Sequence, residues 1–195
     1  MNSHSASVSC TRVTQEGLPV QTLPRRQIPH IDQDAIRSLV REAADDAYIP
    51  LITTVPAVYS REEGIAFVRR QWQRTTGGTG YPFVIARAAD DRPLGTIGLW
   101  LNEVSEGRAT LGYWVAKSAR GHGAASAALR AVSAWARDEL RIPRLQLFVE
   151  PWNTASCRTA EEAGYTREGL LRSWQKVGAE RRDMYVYALT DAEPQ

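Results

Sequence analysis

The chain predicts a mixed α/β fold, a central sheet with helices packed on its faces, and three features carry that reading. A strand, a helix and a second strand follow one another from Ala109 to Val149, an arrangement that demands a parallel strand pair. Ahead of it, two strand-like runs are separated by Asp90-Asp91-Arg92-Pro93, a turn composition that predicts an antiparallel hairpin. The full order reads helix, helix, hairpin, strand, helix, strand, helix, strand.

The elements follow from residue spacing. Residues 1–17 are rich in serine and poor in apolar side chains, and predict a disordered or loosely attached leader before a single domain over 18–195. Leu18 to Leu23 is a weak strand candidate, bounded and weakened by Pro19 and Pro24. Ile36, Leu39, Val40 and Ala43 fall on one face of a helix that starts at Asp32 or Asp34. Ser60 and Glu63 form a capping-box pattern, with Ile65, Val68 and Trp72 as the expected buried stripe. Glycines 77, 78 and 80 end that helix. Phe83 to Ala88 and Leu94 to Leu101 make the hairpin, and Ala109 to Val115 alternates as a strand. Gly121 to Asp138 reads as a helix with Ala128, Leu129, Val132 and Ala136 inward. Leu145, Leu147 and Val149 alternate again. A short helix runs from Asn153 to near Gly164, and Met184 to Leu189 closes the chain as a strand.

Composition narrows the function. The chain has 195 residues, 43% hydrophobic, with 24 Lys plus Arg against 22 Asp plus Glu and a net charge of +2. That balance, with only scattered pairs such as Arg69-Arg70 and Arg181-Arg182, argues against a nucleic-acid partner. Cys10 and Cys157 are too few for a disulfide framework, and the three histidines lack metal-clasping spacing, so no metal is expected. The apolar runs are too short to span a membrane, and the N-terminus lacks the regions of a signal peptide. A cytoplasmic protein without a membrane partner is the expectation.

The sharpest local feature is Val115-Ala116-Lys117-Ser118-Ala119-Arg120-Gly121-His122-Gly123-Ala124-Ala125. A strand ends, a polar turn follows, and a helix opens on two glycines. Backbone N–H groups free of side-chain cover at a helix start make a site for phosphate oxygens, with Arg120 adding charge at its rim. The ATP-type loop signature is missing. A dinucleotide fingerprint would need a third glycine where Ser126 stands.

A second block follows: Pro151-Trp152-Asn153-Thr154-Ala155-Ser156, then Ala163-Gly164-Tyr165 and Glu168-Gly169. Together the two blocks resemble the GNAT superfamily of acetyl-CoA-dependent N-acetyltransferases, nearest the branch of ribosomal-protein N-terminal acetyltransferases, over about residues 30 to 190. The resemblance implies a mostly antiparallel mixed sheet whose parallel strands splay apart between Leu111–Val115 and Leu145–Val149. It implies acetyl-CoA as co-substrate, with its pyrophosphate on the amides of Arg120, Gly121, His122, Gly123, Ala124 and Ala125. The pantetheine arm would lie along the strand that carries Trp114 and Val115, as an added strand would. Asn153 and Ser156 match an Asn-x-x-Ser pattern, which implies Asn153 near the pantetheine and Ser156 beside the thioester sulfur. Read from the residues alone, Asn153 is also a helix N-cap.

The proton acceptor stays open. Several relatives carry Glu where this chain has Thr110, and a threonine hydroxyl is no base at neutral pH. Glu150 leads the alternatives because its strand ends beside the cleft; Glu103 and Asp183 are the others, and a water chain would need none of them. Trp100, Thr110 and Trp174 are the candidates for touching the acceptor. The expected activity is acetyl transfer to an amine, of a protein N-terminus or peptide or of a small molecule. The alternative is a non-catalytic acyl-CoA sensor. Homodimers are common among similar proteins.

Overall fold

The computed structural model describes residues 11–14 and 33–190. Its strands are β1 (Thr11–Thr14), β2 (Gly80–Ala86), β3 (Pro93–Trp100), β4 (Arg108–Val115), β5 (Arg144–Val149), β6 (Thr166–Val177) and β7 (Glu180–Thr190). They form one sheet in the order β1-β2-β3-β4-β5-β7-β6. The helices are α1 (Gln33–Ala44), α2 (Ile49–Ile52), α3 (Arg61–Thr76), α4 (Ala124–Asp138) and α5 (Thr154–Glu162). The sheet is mostly antiparallel, with β1/β2 and β4/β5 as its parallel pairs. This is the predicted mixed α/β architecture with one parallel pair more than expected.

Alternation along β4 sends residues to two different cores, and β5 adds to the larger one. Ala109, Leu111, Leu145 and Leu147 face α4 and α5 in the larger core, where Leu129, Val132 and Ala136 of α4 are fully buried. Each of these leucines and Val132 contributes about 1.5–3 kcal/mol when fully removed from water, which anchors the strand–helix–strand unit. Trp114 faces the opposite way, into a second core with Leu39, Val40 and Ala43 of α1 and Phe67 of α3. The α1 stripe is the predicted one. In α3 the buried positions are Gly64 and Phe67, and the expected Ile65, Val68 and Trp72 are only half-buried. Gly64 explains the rotation, since a Cβ there would sit 3.1 Å from the Tyr59 ring, so the helix leans in on its glycine. Ser60 caps α3 as predicted, its side chain accepting from the Glu63 N–H.

Other expectations are corrected in detail. Thr11–Thr14, inside the segment expected to be a loose leader, pairs with β2 as a parallel edge strand. The candidate strand Leu18 to Leu23 lies outside the described residues. Helix α4 begins at Ala124 and not at Gly121, because Gly121 and Gly123 take left-handed conformations with φ of 82° and 73°. Strand β7 starts four residues early, at Glu180, and pairs with β6, a twelve-residue strand with no counterpart in the prediction. Nearly every β6 side chain is exposed, so no apolar alternation marks it. Among the described residues no helix is long and apolar enough to cross a membrane.

Candidate active site

The parallel pair β4/β5 is joined only at its start. Arg108, Ala109 and Thr110 are in register with Arg144, Leu145 and Gln146, and the pairing stops there. From Leu111 to Val115 the edge of β4 that faces β5 has no strand partner among the described residues, although its other edge pairs with β3 as far as Gly95↔Val115. Unpaired strand edges are hydrogen-bonding templates, so this gap offers an extended ligand a row of backbone donors and acceptors. The expected splay therefore begins at Leu111 and Leu147.

Two cavities open from this gap and share Tyr48, Ile52, Tyr113, Trp114, Asn153 and Ser156 as walls. One, about 710 Å³, runs from Val115 past Arg120, Gly121, Gly123, Ala124 and Ala125 to α5. The amides of Gly121 and of Gly123 through Ser126 reach no backbone acceptor among the described residues. A Cβ at Gly121 would meet nothing within 4 Å, so the loop lies open to a ligand. That is the chemistry an anionic pyrophosphate requires at the start of a fifteen-residue helix. His122 is the exception. Its side chain lines a separate depression with Glu42 and Arg87, away from the gap, so any part it plays at this loop is through its backbone.

Arg120 is held twice. Its Nε donates to the Val115 carbonyl at 3.0 Å, and its Nη2 to Asp46 Oδ2 at 2.6 Å. Asp46 also accepts from the Tyr48 and Ile49 N–H groups, at 2.8 and 3.0 Å, at the start of α2. Burial works against the Asp46 charge, but those two amides and the Arg120 guanidinium together hold its pKa below the usual carboxylate range.

The second cavity, about 480 Å³, lies on the sheet face that carries Gly98, Trp100, Thr110 and Gly112, under α2 and α3. Glu150 borders it and is only 4% exposed. Tyr48 Oη donates to its Oε1 at 2.6 Å, and Trp152 Nε1 to its Oε2 at 2.7 Å. The Tyr48 pKa is pushed well up by burial and by this carboxylate, so its phenol stays a donor. Trp152 is 60% exposed and stands edge-on to the Tyr48 ring at 4.9 Å. Glu150 makes no ion pair among the described residues. It is thus no solvated surface carboxylate: each oxygen holds one neutral donor and keeps a lone pair for a proton or an ammonium group.

Asn153 caps α5, its Oδ1 accepting from the Ser156 N–H at 3.1 Å, and its own N–H donates to the Glu150 carbonyl at 2.9 Å. This turn sets Glu150 and Ser156 on adjoining walls. The Tyr113 hydroxyl donates to the Ser156 carbonyl at 3.3 Å; burial raises its pKa, partly offset by Ser156 and Thr159.

The remaining candidates divide. Thr110 lines the acceptor-side cavity and receives the Gln146 amide at 3.4 Å. Trp100 lines the same cavity. Trp174 does not: it is half-exposed on β6, with its ring 5.5 Å from that of Phe148, which forms the cavity wall. Glu103 lies in the turn after β3, paired with Arg108 and Gln146. Asp183 is occupied by the Ser173 N–H at a bulge in β6. Tyr48, Asp46, Tyr113 and Arg74 are wall residues that the sequence reading missed. Tyr113 alone had a signal, its place inside the alternating strand from Ala109 to Val115.

Residues 26–166 match the acetyltransferase (GNAT) domain. The chain belongs to the GNAT acetyltransferase family. A Bacillus subtilis protein named "Probable N-acetyltransferase YjcK" is 34% identical over 116 residues, which is 58% of this chain and 63% of that protein. The chain thus spans less than two thirds of the curated relatives it matches. Among solved structures, Mycobacterium smegmatis RimJ in complex with a CoA-disulfide superposes with a TM-score of 0.70 at 24% identity, over 85% of this chain and 80% of that one. RimL, a ribosomal L7/L12 α-N-protein acetyltransferase in complex with coenzyme A, gives 0.69 at 24% identity over 81% and 88%. These two establish the shared GNAT fold.

Proposed function

We propose that this chain is an acetyl-CoA-dependent N-acetyltransferase acting on a primary amine, of a peptide or protein N-terminus or of a small molecule, by direct attack in a ternary complex. The observation that carries the reading is the meeting of two cavities at the β4/β5 gap, one ending on a glycine-rich helix start and the other on a buried carboxylate. Structures of the family hold coenzyme A, as in RimL and RimJ. Acetyl-CoA would supply the acetyl group already activated as a thioester.

The chain's residues divide the remaining work. Gly121, Gly123, Ala124 and Ala125 bind pyrophosphate through their amides, and Arg120 adds charge at the rim. The unpaired edge of β4 at Trp114 and Val115 binds the extended arm and presents N–H groups to the carbonyl oxygen. Glu150 takes the proton of the attacking ammonium, directly or through one water, while Tyr48 and Trp152 hold its oxygens in place. The Ser156 hydroxyl, beside Tyr113, stabilises the leaving sulfur by hydrogen bonding. Asn153 positions Ser156 and borders both cavities. Trp100 and Thr110 line the acceptor's path.

Calorimetric titration of acetyl-CoA tests the reading, with Gly123→Trp as the blocked loop. Micromolar binding that the variant loses, together with thiol release on some member of an amine panel, is the expected result. Wild-type protein that binds no acetyl-CoA would sink it.

A further inference from the structure

The acceptor-side cavity has two charged side chains on its walls, Glu150 and Arg74. Arg74 lies in the last turn of α3, half-buried, with its guanidinium carbon 4.5 Å from the Trp100 ring centroid. Glycines underlie that stack. A Cβ at Gly98 would lie 2.3 Å from Trp100 Cζ2, one at Gly80 2.7 Å from Cε3, and one at Gly112 3.7 Å from Nε1. The indole therefore lies flat across β2, β3 and β4, and Arg74 lies over the indole.

No carboxylate pairs with this guanidinium among the described residues. Burial and the neighbouring Arg70 both work against its charge. A cation so placed, fixed on a π-face and lacking a counter-ion, is built to receive a planar anion at its free edge. It also repels an acceptor with a second positive charge, which disfavours polyamines.

Distance limits where the anion sits. Gly98 pairs with Gly112, and the β4/β5 register, which ends at Thr110↔Gln146, extrapolates from Gly112 to Phe148, two residues before Glu150. Two residues of strand and two strand spacings put the backbones at Gly98, beneath the Trp100–Arg74 stack, and at Glu150 about 12 Å apart, before the splay adds more. An α-amino acid's own carboxylate, two bonds from its nitrogen, cannot bridge that span. An extended peptide advances about 3.3–3.6 Å per residue, so an acidic side chain on the third or fourth residue can.

We infer that the acceptor is a peptide N-terminus with an acidic side chain about three residues in, and that Arg74, stacked on Trp100, receives that carboxylate. The inference rests on the proposed transferase reading and deepens it by naming the substrate class.

The test uses hexapeptides with a free N-terminal serine, identical except for Glu, Gln or Lys at the third residue, and free glutamate against glutamine. Wild type is expected to acetylate the Glu peptide with kcat/KM about tenfold above the Gln peptide, and the Lys peptide least. In Arg74→Gln the Glu-to-Gln ratio falls to about one, while calorimetry still reads acetyl-CoA binding. Equal rates on Glu and Gln peptides in wild type, or a ratio that survives in Arg74→Gln, overturn the inference. Free glutamate acetylated in preference to every peptide overturns the peptide assignment. If acetyl-CoA binds and no peptide is turned over, binding of the same peptides to protein saturated with coenzyme A decides the subsite: equal affinities for Glu and Gln overturn it. Failure to bind acetyl-CoA defeats the transferase reading itself and is seen before any peptide is added.

Discussion

Asp46 holds Arg120 at 2.6 Å through Oδ2 while its Oδ1 accepts the N–H groups of Tyr48 and Ile49. One carboxylate thereby ties the glycine-rich loop before α4 to the segment that presents Tyr48 to Glu150. The pair also sets two anions in competition for Arg120, since a bound pyrophosphate would share the guanidinium with Asp46. Asp46→Asn keeps an oxygen for the two amides and removes the competing charge. Its expected effect is acetyl-CoA binding a few-fold tighter at low ionic strength, fading as salt screens the loop. Asp46→Ala also loses the amide contacts and is expected to cost about 1 kcal/mol of stability. Calorimetry and denaturant unfolding separate the two effects.

The same pair has a pH signature. Asp46 is depressed in the folded protein, so its contribution to stability is complete above the unfolded value, about 3.9, and is lost as pH falls through the lower folded value. Carbon-13 NMR of the side-chain carboxyl is expected to show a midpoint below 3.9 in the wild type. In Arg120→Gln the midpoint should move upward, since the guanidinium no longer favours the charged form. A midpoint that ignores the substitution would show that Tyr48 and Ile49 amides alone set it.

Glu150 carries the proton in the proposed reaction, and its test is substitution by an amide of the same shape. Glu150→Gln cannot accept through both terminal atoms, so one of Tyr48 and Trp152 loses its acceptor. The acetyl-transfer rate is expected to fall at least about a hundredfold, with acetyl-CoA affinity little changed. Tyr48→Phe leaves the carboxylate in place and removes one donor, so a smaller loss is expected. If Glu150→Gln turned over acceptor at the wild-type rate, a water chain or a pre-neutralised amine would replace it.

How legible the chain was depended on whether a residue's role is local. The α4 stripe of Ala128, Leu129, Val132 and Ala136 and the Ser60 cap are written in separations of no more than eight residues, and both stand in the structure. Asn153 was open to two readings; the cap is present, and the cavity wall coincides with it. Partnerships across the chain were not legible. Tyr48 and Glu150 are 102 positions apart, and Asp46 and Arg120 are 74 apart. No local pattern announces such pairs, because the fold alone brings α2 to the end of β5. Strand β6 escaped for the opposite reason: it is held by backbone pairing to β7, and its side chains carry no buried alternation to detect.

Gly98 shows how one missing Cβ can shape the acceptor-side cavity. It lies mid-strand, where any residue's backbone fits, so its constraint is the Trp100 ring 2.3 Å from where a Cβ would stand. Gly98→Ala must push the indole off the sheet and, with it, Arg74. The expected cost is about 1–3 kcal/mol, the range for adding a methyl group to a packed site. Adding Trp100→Ala removes the clash, so the double variant should be less destabilised than the two single changes summed, a coupling readable in a denaturant cycle. Strict additivity would mean that the indole moves aside freely and that Gly98 does not hold it in place.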